Sequence, residues 1–166
     1  MRKNDFALLG ILCPLFLVFT GCGEKLPDGM PPLYPATLLI TQEGKPLPGA
    51  MTGLTSAEGS HTWTSGGTTD AEGKLVVFTH GKYRGIPAGK YKVTVDCIAA
   101  DVPRPESMTE EESTKFNKEH PSFRTVPLKY TEKDKTPFSI EVANGKNTFT
   151  LDIPEKKVKL SLGAAP

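Results

Sequence analysis

The chain has 166 residues, of which 37% are hydrophobic and 23% charged, a balance that is typical of a folded domain and excludes a wholly disordered chain. The formal net charge is only +1, with no basic stripe or acidic tail, so the sequence lacks the electrostatic footprint of a nucleic-acid-binding protein. Glycine and proline fall between short β-prone runs, which predicts many turns joining short strands.

The N-terminal segment has the pattern of a cleaved export signal. A short positive start over residues 1–4 precedes a mostly apolar run over residues 6–19. Basic residues stay on the cytoplasmic side of a membrane while such a run enters the translocon. The run is shorter than the roughly 20 residues that a membrane-spanning helix needs, and it contains Pro14. The pattern therefore predicts a signal peptide over residues 1–21.

The end of this run resembles the lipobox of bacterial lipoproteins. Phe19-Thr20-Gly21-Cys22 matches the Leu-Ala/Ser/Thr-Gly/Ala-Cys pattern, except that Phe19 stands where leucine is usual. The resemblance implies a diacylglycerol thioether on the sulfur of Cys22, which becomes the new N-terminus. Each buried methylene of an acyl chain contributes roughly 0.8 kcal/mol, so two or three chains anchor a protein stably in a bilayer.

A lipobox also implies a place in the cell envelope, facing the periplasm or the exterior. Gly23, and not aspartate, follows Cys22, which favours the outer membrane by similarity to enterobacterial sorting. Residues 22–35 then form a lipid-anchored linker in which prolines recur. Proline prevents a helix and favours extended chain, so we expect a semi-rigid tether.

The next part of the chain alternates between β-prone runs and turns. Strands are predicted over residues 36–41, 50–56, 61–65, 75–79 and 90–97, with a loop over 66–74. In the last strand Tyr91, Val93, Val95 and Cys97 alternate with polar residues and share one face. Cys97 has no partner cysteine in the mature chain, so we expect a small, buried core residue and no disulfide.

Residues 101–135 form a long insertion that is richer in proline and charge. Within it, Thr109 and Glu112 fit the N-cap and N3 positions of a capping box, and Pro121 ends the segment. The pattern predicts one short surface helix inside a long loop.

The C-terminal part predicts two more strands and a tail. Residues 137–142 and 147–153 flank Asn144-Gly145, a turn pair that is typical of a β-hairpin. Residues 156–166 form a tail that either adds an edge strand or frays. About seven strands with polar turns predict an all-β fold, an antiparallel two-sheet sandwich over residues 36–155.

Three stretches resemble the carboxypeptidase regulatory-like domain family, namely Gly44–Ala50, Thr68–Lys74 and Gly85–Val95. The resemblance implies a transthyretin-like (prealbumin-like) sandwich. Residues 126–130 and 145–149 are similar to a longer subgroup found in planctomycete-type lipoproteins. Members of the family mostly have accessory roles, and the carboxypeptidase chemistry belongs to a separate metal domain, so the resemblance implies a fold more than an activity.

Asp70 and Glu72 lie in the second of these stretches. The sequence predicts a turn in which Asp70 bonds its own downstream backbone and Gly73 adopts positive φ. The alternative is a calcium loop, but two carboxylates are too few without further oxygen donors at fixed spacing.

No combination of residues points to catalysis. His61, His80 and His120 are scattered, without the spacing of a zinc site, and no nucleophile elbow is present. We therefore expect no catalytic residue, no cofactor and no metal. Trp63 either packs in the core or, if exposed, stacks on a sugar ring; a single aromatic does not make a binding platform, so core packing is favoured.

Three functions follow as hypotheses. The first is a non-catalytic envelope lipoprotein with a structural or protein-contact role, with the bilayer as a partner through Cys22 and an envelope protein or glycan as a further partner. The second is a carbohydrate- or small-ligand-binding module, favoured if Trp63 is exposed beside other aromatics. The third is a hydrolase, favoured if a cleft holds His61 or His80 against a carboxylate.

Overall fold

β-Strands dominate the secondary structure of this chain. The structure, a computed structural model, describes residues 25–59 and 63–162; the predicted signal peptide, Cys22 and His61 lie outside these residues. The strands are β1 (Leu33–Tyr34), β2 (Ala36–Gln42), β3 (Lys45–Pro46), β4 (Met51–Ser56), β5 (Ser65–Thr68), β6 (Lys74–Val76), β7 (Phe78–Thr79), β8 (Tyr83–Arg84), β9 (Ile86–Pro87), β10 (Gly89–Asp96), β11 (Ile98–Ala99), β12 (Phe123–Arg124), β13 (Ser139–Val142), β14 (Asn147–Ile153) and β15 (Leu160–Ser161). The helical elements are α1 (Glu110–Glu119) and a 3-10 turn (Leu128–Tyr130).

Two larger sheets pack against each other. One has six strands in the order β13-β10-β4-β5-β7-β8, and the other is built on β2, which pairs with β14, β3 and β6. Their inner side chains form one hydrophobic cluster, to which β2 contributes Leu38 and Ile40 and β10 contributes Tyr91, Val93 and Val95. The all-β sandwich that the sequence predicts is confirmed. Two small sheets, β1-β9 and β11-β12-β15, extend it.

β10 shows why the sheet forms where the sequence predicts it. Its residues alternate between buried and partly exposed from Tyr91 onward, so one face enters the core. The Tyr91 hydroxyl donates a hydrogen bond of 2.8 Å to the carbonyl oxygen of Pro87. Burial raises the pKa of Tyr91 to about 12, which keeps the phenol neutral in its apolar surroundings. Cys97 is buried at the end of the same face, as expected.

The hairpin predicted around Asn144-Gly145 is wrong. β13 pairs with β10, whereas β14 pairs with β2 in parallel, from Asn147 opposite Ala36 to Ile153 opposite Gln42. The sandwich is therefore not wholly antiparallel. The Asn147 amide donates to the carbonyl oxygens of Ala143 and Gly145 and accepts from the N–H of Ala143. These bonds satisfy the backbone of the loop without a ladder between its flanking strands, so the chain crosses to the other sheet.

The strand predicted over residues 75–79 is also divided between the sheets. β6 pairs with β2, and β7 pairs with β5. Val77 lies fully buried between them; its N–H donates to Ala36, and its carbonyl oxygen accepts from Gly85. The backbone of Val77 thus bonds to two different neighbours, and this is the point at which the strand changes sheet.

β5 occupies residues 65–68, so it shares only Ser65 with the predicted strand over 61–65 and otherwise lies where the sequence predicts a loop; residues 61 and 62 are outside the described residues. A Cβ added to Gly66 would lie 2.1 Å from the carbonyl oxygen of Thr52 in the adjacent strand. Only glycine fits so close an approach, and this packing requirement outweighs the low strand propensity of glycine.

The long insertion has two unlike halves. α1 begins at the predicted capping box, in which Thr109 and Glu112 bond to each other's backbone, and none of its residues is buried. The second half contributes β12 and the buried side chains of Val126 and Tyr130 to the sandwich. The short surface helix is confirmed, but the rest of the insertion is not a simple loop.

Both ends of the described chain join the sheets. β1, at the end of the segment predicted as a linker, pairs with β9, and Met30 just before it is buried. In the tail, β15 pairs with β12. The structure thus shows the tail as an edge strand and not as a frayed end, at least as far as Leu162.

Candidate functional site

The outer face of the six-stranded sheet carries a recessed surface. The strand register places Thr94 beside Gly53, Gly53 beside Gly66, and Gly66 beside Phe78, on four neighbouring strands. These four residues form a row across the sheet. The residues on either side of Gly53 and of Thr94 in their own strands are buried, so the row faces outward. Because its two middle positions lack side chains, the row forms a low channel between Thr94 and Phe78.

Two depressions lie along this row and share Gly67. The larger, of about 560 Å³, is bounded by Met51, Thr94, Asp96 and Arg124 among others. The smaller, of about 360 Å³, is bounded by Thr64, Gly66, Phe78 and His80 among others. We call these two depressions together the sheet-face trough.

One end of the sheet-face trough is formed by a bidentate ion pair. Arg124 Nε lies 2.6 Å from Asp96 Oδ1, and Arg124 Nη2 lies 2.9 Å from Asp96 Oδ2. Both side chains are only about one-fifth exposed (21% and 22%), so the pair is partly shielded from water. The hydrogen bonds that Arg124 donates to Asp96 raise the pKa of Arg124 above its usual value. Arg124 comes from β12, so the inserted segment supplies this wall.

Aromatic rings stand at the other end. Trp63 is partly exposed, and its ring centroid lies 5.3 Å from that of His80 in an edge-to-face arrangement. His80 has a positive φ of 54°, and its N–H donates to the carbonyl oxygen of Thr64. His80 Nδ1 lies 3.4 Å from the Thr64 hydroxyl oxygen. Phe78, partly buried, precedes His80 by two residues.

Two basic side chains flank the same row. Lys92 precedes Thr94 by two residues on β10, so both lie on one face of the strand. Arg84 pairs across the sheet with Phe78 and continues the row onto β8. Among residues 25–59 and 63–162, neither Lys92 nor Arg84 forms an ion pair.

The two glycines at the middle of the row differ in what they tolerate. A Cβ on Gly66 meets backbone, as described above. A Cβ on Gly53 would meet only the Thr94 hydroxyl, at 2.9 Å, and that oxygen already donates a hydrogen bond to the Gly53 carbonyl. Because a hydroxyl can rotate away, Gly53 is the position at which a side chain can fill the sheet-face trough without displacing backbone.

Asp70 and Glu72 lie apart from this surface, in the turn between β5 and β6. Asp70 Oδ1 accepts hydrogen bonds from the N–H groups of Glu72 (3.1 Å) and Lys74 (2.8 Å), and Gly73 has a φ of +72°. This oxygen is used by the turn itself. In the part of the chain that the structure describes, no three His, Cys, Asp or Glu side chains converge as they would around a metal ion.

A second polar cluster joins the tail to the sandwich. The buried Tyr130 hydroxyl and the Lys129 ammonium both bond to the carboxylate of Glu155. Burial, and then this carboxylate, raise the pKa of Tyr130, while the bonds from Lys129 and Tyr130 lower the pKa of Glu155. The Gln42 amide donates to the carbonyl oxygen of Glu155. Three side chains from the sandwich thus bond to Glu155 and hold the tail in place, whereas Gln42 Oε1 is buried and has no hydrogen-bond partner among the described residues.

The remaining histidines give no support to hydrolytic chemistry. His120 packs against Phe116 with ring centroids 4.8 Å apart. Neither His80 nor His120 forms an ion pair with a carboxylate within the described ranges. A further depression of about 630 Å³ is lined by residues of α1 alone, such as Glu111 and Lys115, so it lies along a single helix and not between elements.

Sequence reasoning singled out Trp63 and His80 at one end of the sheet-face trough but missed the rest. Gly53, Phe78 and Arg124 are far apart in the chain, and each reads as an ordinary strand or loop residue. The useful signal was Gly66-Gly67 next to a β-prone run, because paired glycines in a strand often mark a close approach of backbone or ligand.

Comparison with known proteins adds no relative. No family model matches the chain, and no similar curated protein or solved structure was found. The resemblance to the carboxypeptidase regulatory-like family, and the transthyretin-like topology that it implies, therefore stay predictions. None of the helices among the described residues is both long enough and apolar enough to cross a bilayer.

Proposed function

We propose that this chain is a non-catalytic envelope lipoprotein, tethered by an acylated Cys22, whose sandwich presents the sheet-face trough as a binding site. The observation that carries the proposal is the trough itself. Its walls come from β10 and β4, from β12 of the insertion, and from β5 and β7 with residues next to them, which are separate in sequence. A recess with polar groups at one end and aromatic rings at the other is the usual form of a ligand site.

The side chains at the sheet-face trough suit binding better than proton transfer. Both carboxylate oxygens of Asp96 accept hydrogen bonds from Arg124, which holds the group in an ion pair with a fixed orientation. His80 contacts a threonine hydroxyl and an aromatic ring, and not a carboxylate that would orient it as a general base. A preformed ion pair and fixed rings instead offer directional contacts to a bound molecule.

Replacing the proposed acylation site tests the tether. We expect Cys22→Ser to leave the chain unprocessed and without fatty acid, because the serine oxygen cannot form the thioether. Cys13→Ser is the matched control, since it removes a thiol within the predicted signal peptide and should leave processing unchanged. Intact mass spectrometry and membrane fractionation measure the result. A wild-type chain that retains Met1 and carries no acyl mass would refute the tether.

Photo-crosslinking tests the binding site without assuming a ligand. A photoreactive residue in place of Thr68, an exposed residue that lines the larger depression, should form an adduct in intact envelopes. Adding Gly53→Val, which fills the sheet-face trough, should remove the adduct while leaving the thermal unfolding of the protein cooperative. An adduct that persists with Gly53→Val would place the contact outside the sheet-face trough.

A protein-contact role is favoured by one separate feature, the edge strand β14. Its seven residues pair only with β2 in the described part of the chain, so its other edge offers backbone groups to a further strand. A photoreactive residue in place of the exposed Thr148 reports on this edge. A protein adduct from position 148, together with none from position 68, would favour this role over ligand binding at the sheet-face trough.

A further inference from the structure

We propose that the sheet-face trough takes an acidic polysaccharide, a chain of sugar rings that carry carboxylates. This inference rests on the binding function proposed above and names the class of ligand. It follows from the length of the recess, the aromatic rings at one end, and the excess of positive charge beside its row.

The dimensions suit a chain molecule. The row from Thr94 to Phe78 crosses four strands, and neighbouring strands lie about 4.8 Å apart, so it extends roughly 14 Å across the sheet. Gly53 and Gly66 keep its middle low, so consecutive rings of an oligosaccharide can lie along it. A compact metabolite would leave most of this length unused.

The ring of Phe78 lines the smaller depression, and the ring of Trp63 lies beside it against His80; both offer apolar surface for the C–H faces of sugars. Both are partly exposed, and Trp63 is held edge-on to His80. Sugar rings present C–H groups on one face and hydroxyls at their rim. Thr94, Thr68 and the ion pair of Asp96 with Arg124 stand where rim hydroxyls would find hydrogen-bond partners.

The charge on this face indicates an anionic ligand. Lys90 lies opposite Glu141 across the sheet, without an ion pair between them among the described residues, and Asp96 is paired with Arg124, so each of these two couples adds no net charge. Lys92 and Arg84 form no ion pair among the described residues, which leaves an excess of two positive charges beside the row, although the whole chain carries only +1. Lysine and arginine both bind carboxylates, arginine in a bidentate manner.

Other polyanions fit this surface less well. A nucleic acid requires a denser row of cations than two, since its affinity depends on the number of phosphates neutralised. An anionic bilayer is broad, whereas the aromatic and glycine surface lies within a recess between Arg124 and His80. We therefore favour the polysaccharide, and the experiment includes the bilayer as a competing outcome.

The test is calorimetric titration of the mature acylated protein, anchored in vesicles of neutral lipid, with oligogalacturonate and, separately, with its fully methyl-esterified form. The two probes have the same rings and differ in charge. We expect binding of the acid form, at least tenfold weaker binding of the ester, and weakening of the acid form as salt is raised. Vesicles containing anionic lipid should not compete.

Substitutions test which side chains contact the polysaccharide. Arg84→Gln and Lys92→Gln should each weaken binding about tenfold through the loss of one charge-assisted contact, and Gly53→Val should abolish it. Lys90→Gln, on the same strand but opposite Glu141, is the matched control and should bind like the wild type. Circular dichroism of each variant checks that the fold is kept.

The outcomes separate the ligand class from the binding function. Equal binding of acid and ester, no binding of either, or displacement by anionic vesicles would each overturn the acidic polysaccharide. In those cases an adduct from position 68 that Gly53→Val removes would still support a binding site. If neither the selective binding of the acid form nor this adduct is observed, both proposals are refuted.

Discussion

The two halves of the insertion over residues 101–135 have similar polar, proline-containing sequences, but they differ in how far their residues are buried in the sandwich. α1 buries none of its residues and begins at a capping box that is complete within four residues. The segment after Pro121 has an ordinary sequence, but it buries Thr125, Val126 and Tyr130 and supplies Arg124 to the sheet-face trough. Local hydrogen bonds decide the first half, and contacts with distant strands decide the second.

The largest expected change in stability comes from removing one aromatic side chain from each half of the insertion and comparing the two losses. Tyr130→Ala should lower the free energy of unfolding by about 3 kcal/mol, because it empties a fully buried site beside Phe138 and removes the hydroxyl donor to Glu155. Phe116→Ala in α1 should cost less than about 1 kcal/mol. Urea denaturation followed by tryptophan fluorescence measures both. Equal losses would contradict the distinction.

The ion pair at the end of the sheet-face trough provides the next test. Arg124→Gln should lower the free energy of unfolding by about 1 to 2 kcal/mol, because it leaves the partly buried Asp96 carboxylate without its bidentate partner. Lys159→Gln, whose ion pair with Asp101 is well exposed, is the control and should change stability by less than about 0.5 kcal/mol. A double variant, Asp96→Asn with Arg124→Gln, should recover part of the loss, and failure to recover would indicate that the pair is not the cause.

Loss of the cap should act on the helix alone. Thr109→Ser keeps a hydroxyl and should have little effect, whereas Thr109→Ala should destabilise α1 by about 1 kcal/mol. Because α1 buries no residue, the loss should appear as faster amide exchange in residues 110–119, with unchanged protection in β10. Faster exchange in β10 would show that the helix and the sandwich unfold together.

The smallest expected effect is a pH dependence of the same helix. The hydrogen bonds from the Thr109 backbone and hydroxyl lower the pKa of Glu112 below its usual value in the folded state. The stabilisation is therefore present above the unfolded pKa and is lost as pH falls through the folded value. Exchange protection of α1 should decline at low pH in the wild type and should be low and less dependent on pH in Glu112→Gln. A decline that begins near neutral pH would rule out this carboxylate.

Sequence reasoning succeeded where the deciding contacts are close in the chain. The capping box of Thr109, the turn at Asp70 and the alternation from Tyr91 to Val95 each span a few residues, and the structure shows all three. It failed for the pairing of β14, the division of residues 75–79 and the placement of β5. For β14 and residues 75–79 the residues were extended as expected, and only their neighbours were unknown. β5 formed where a loop was predicted, because Gly66 allows the close approach of the neighbouring strand.

The sequence by itself determined which segments are extended, which faces are apolar and where the one capped helix begins. Tertiary structure decided which strand lies beside which, and with it the row from Thr94 to Phe78 that forms the sheet-face trough. The reason is that side-chain alternation specifies a face but not a partner, since the backbone hydrogen bonds of a strand are much the same with any neighbour. A site assembled from four strands therefore becomes visible only after the strands have been paired.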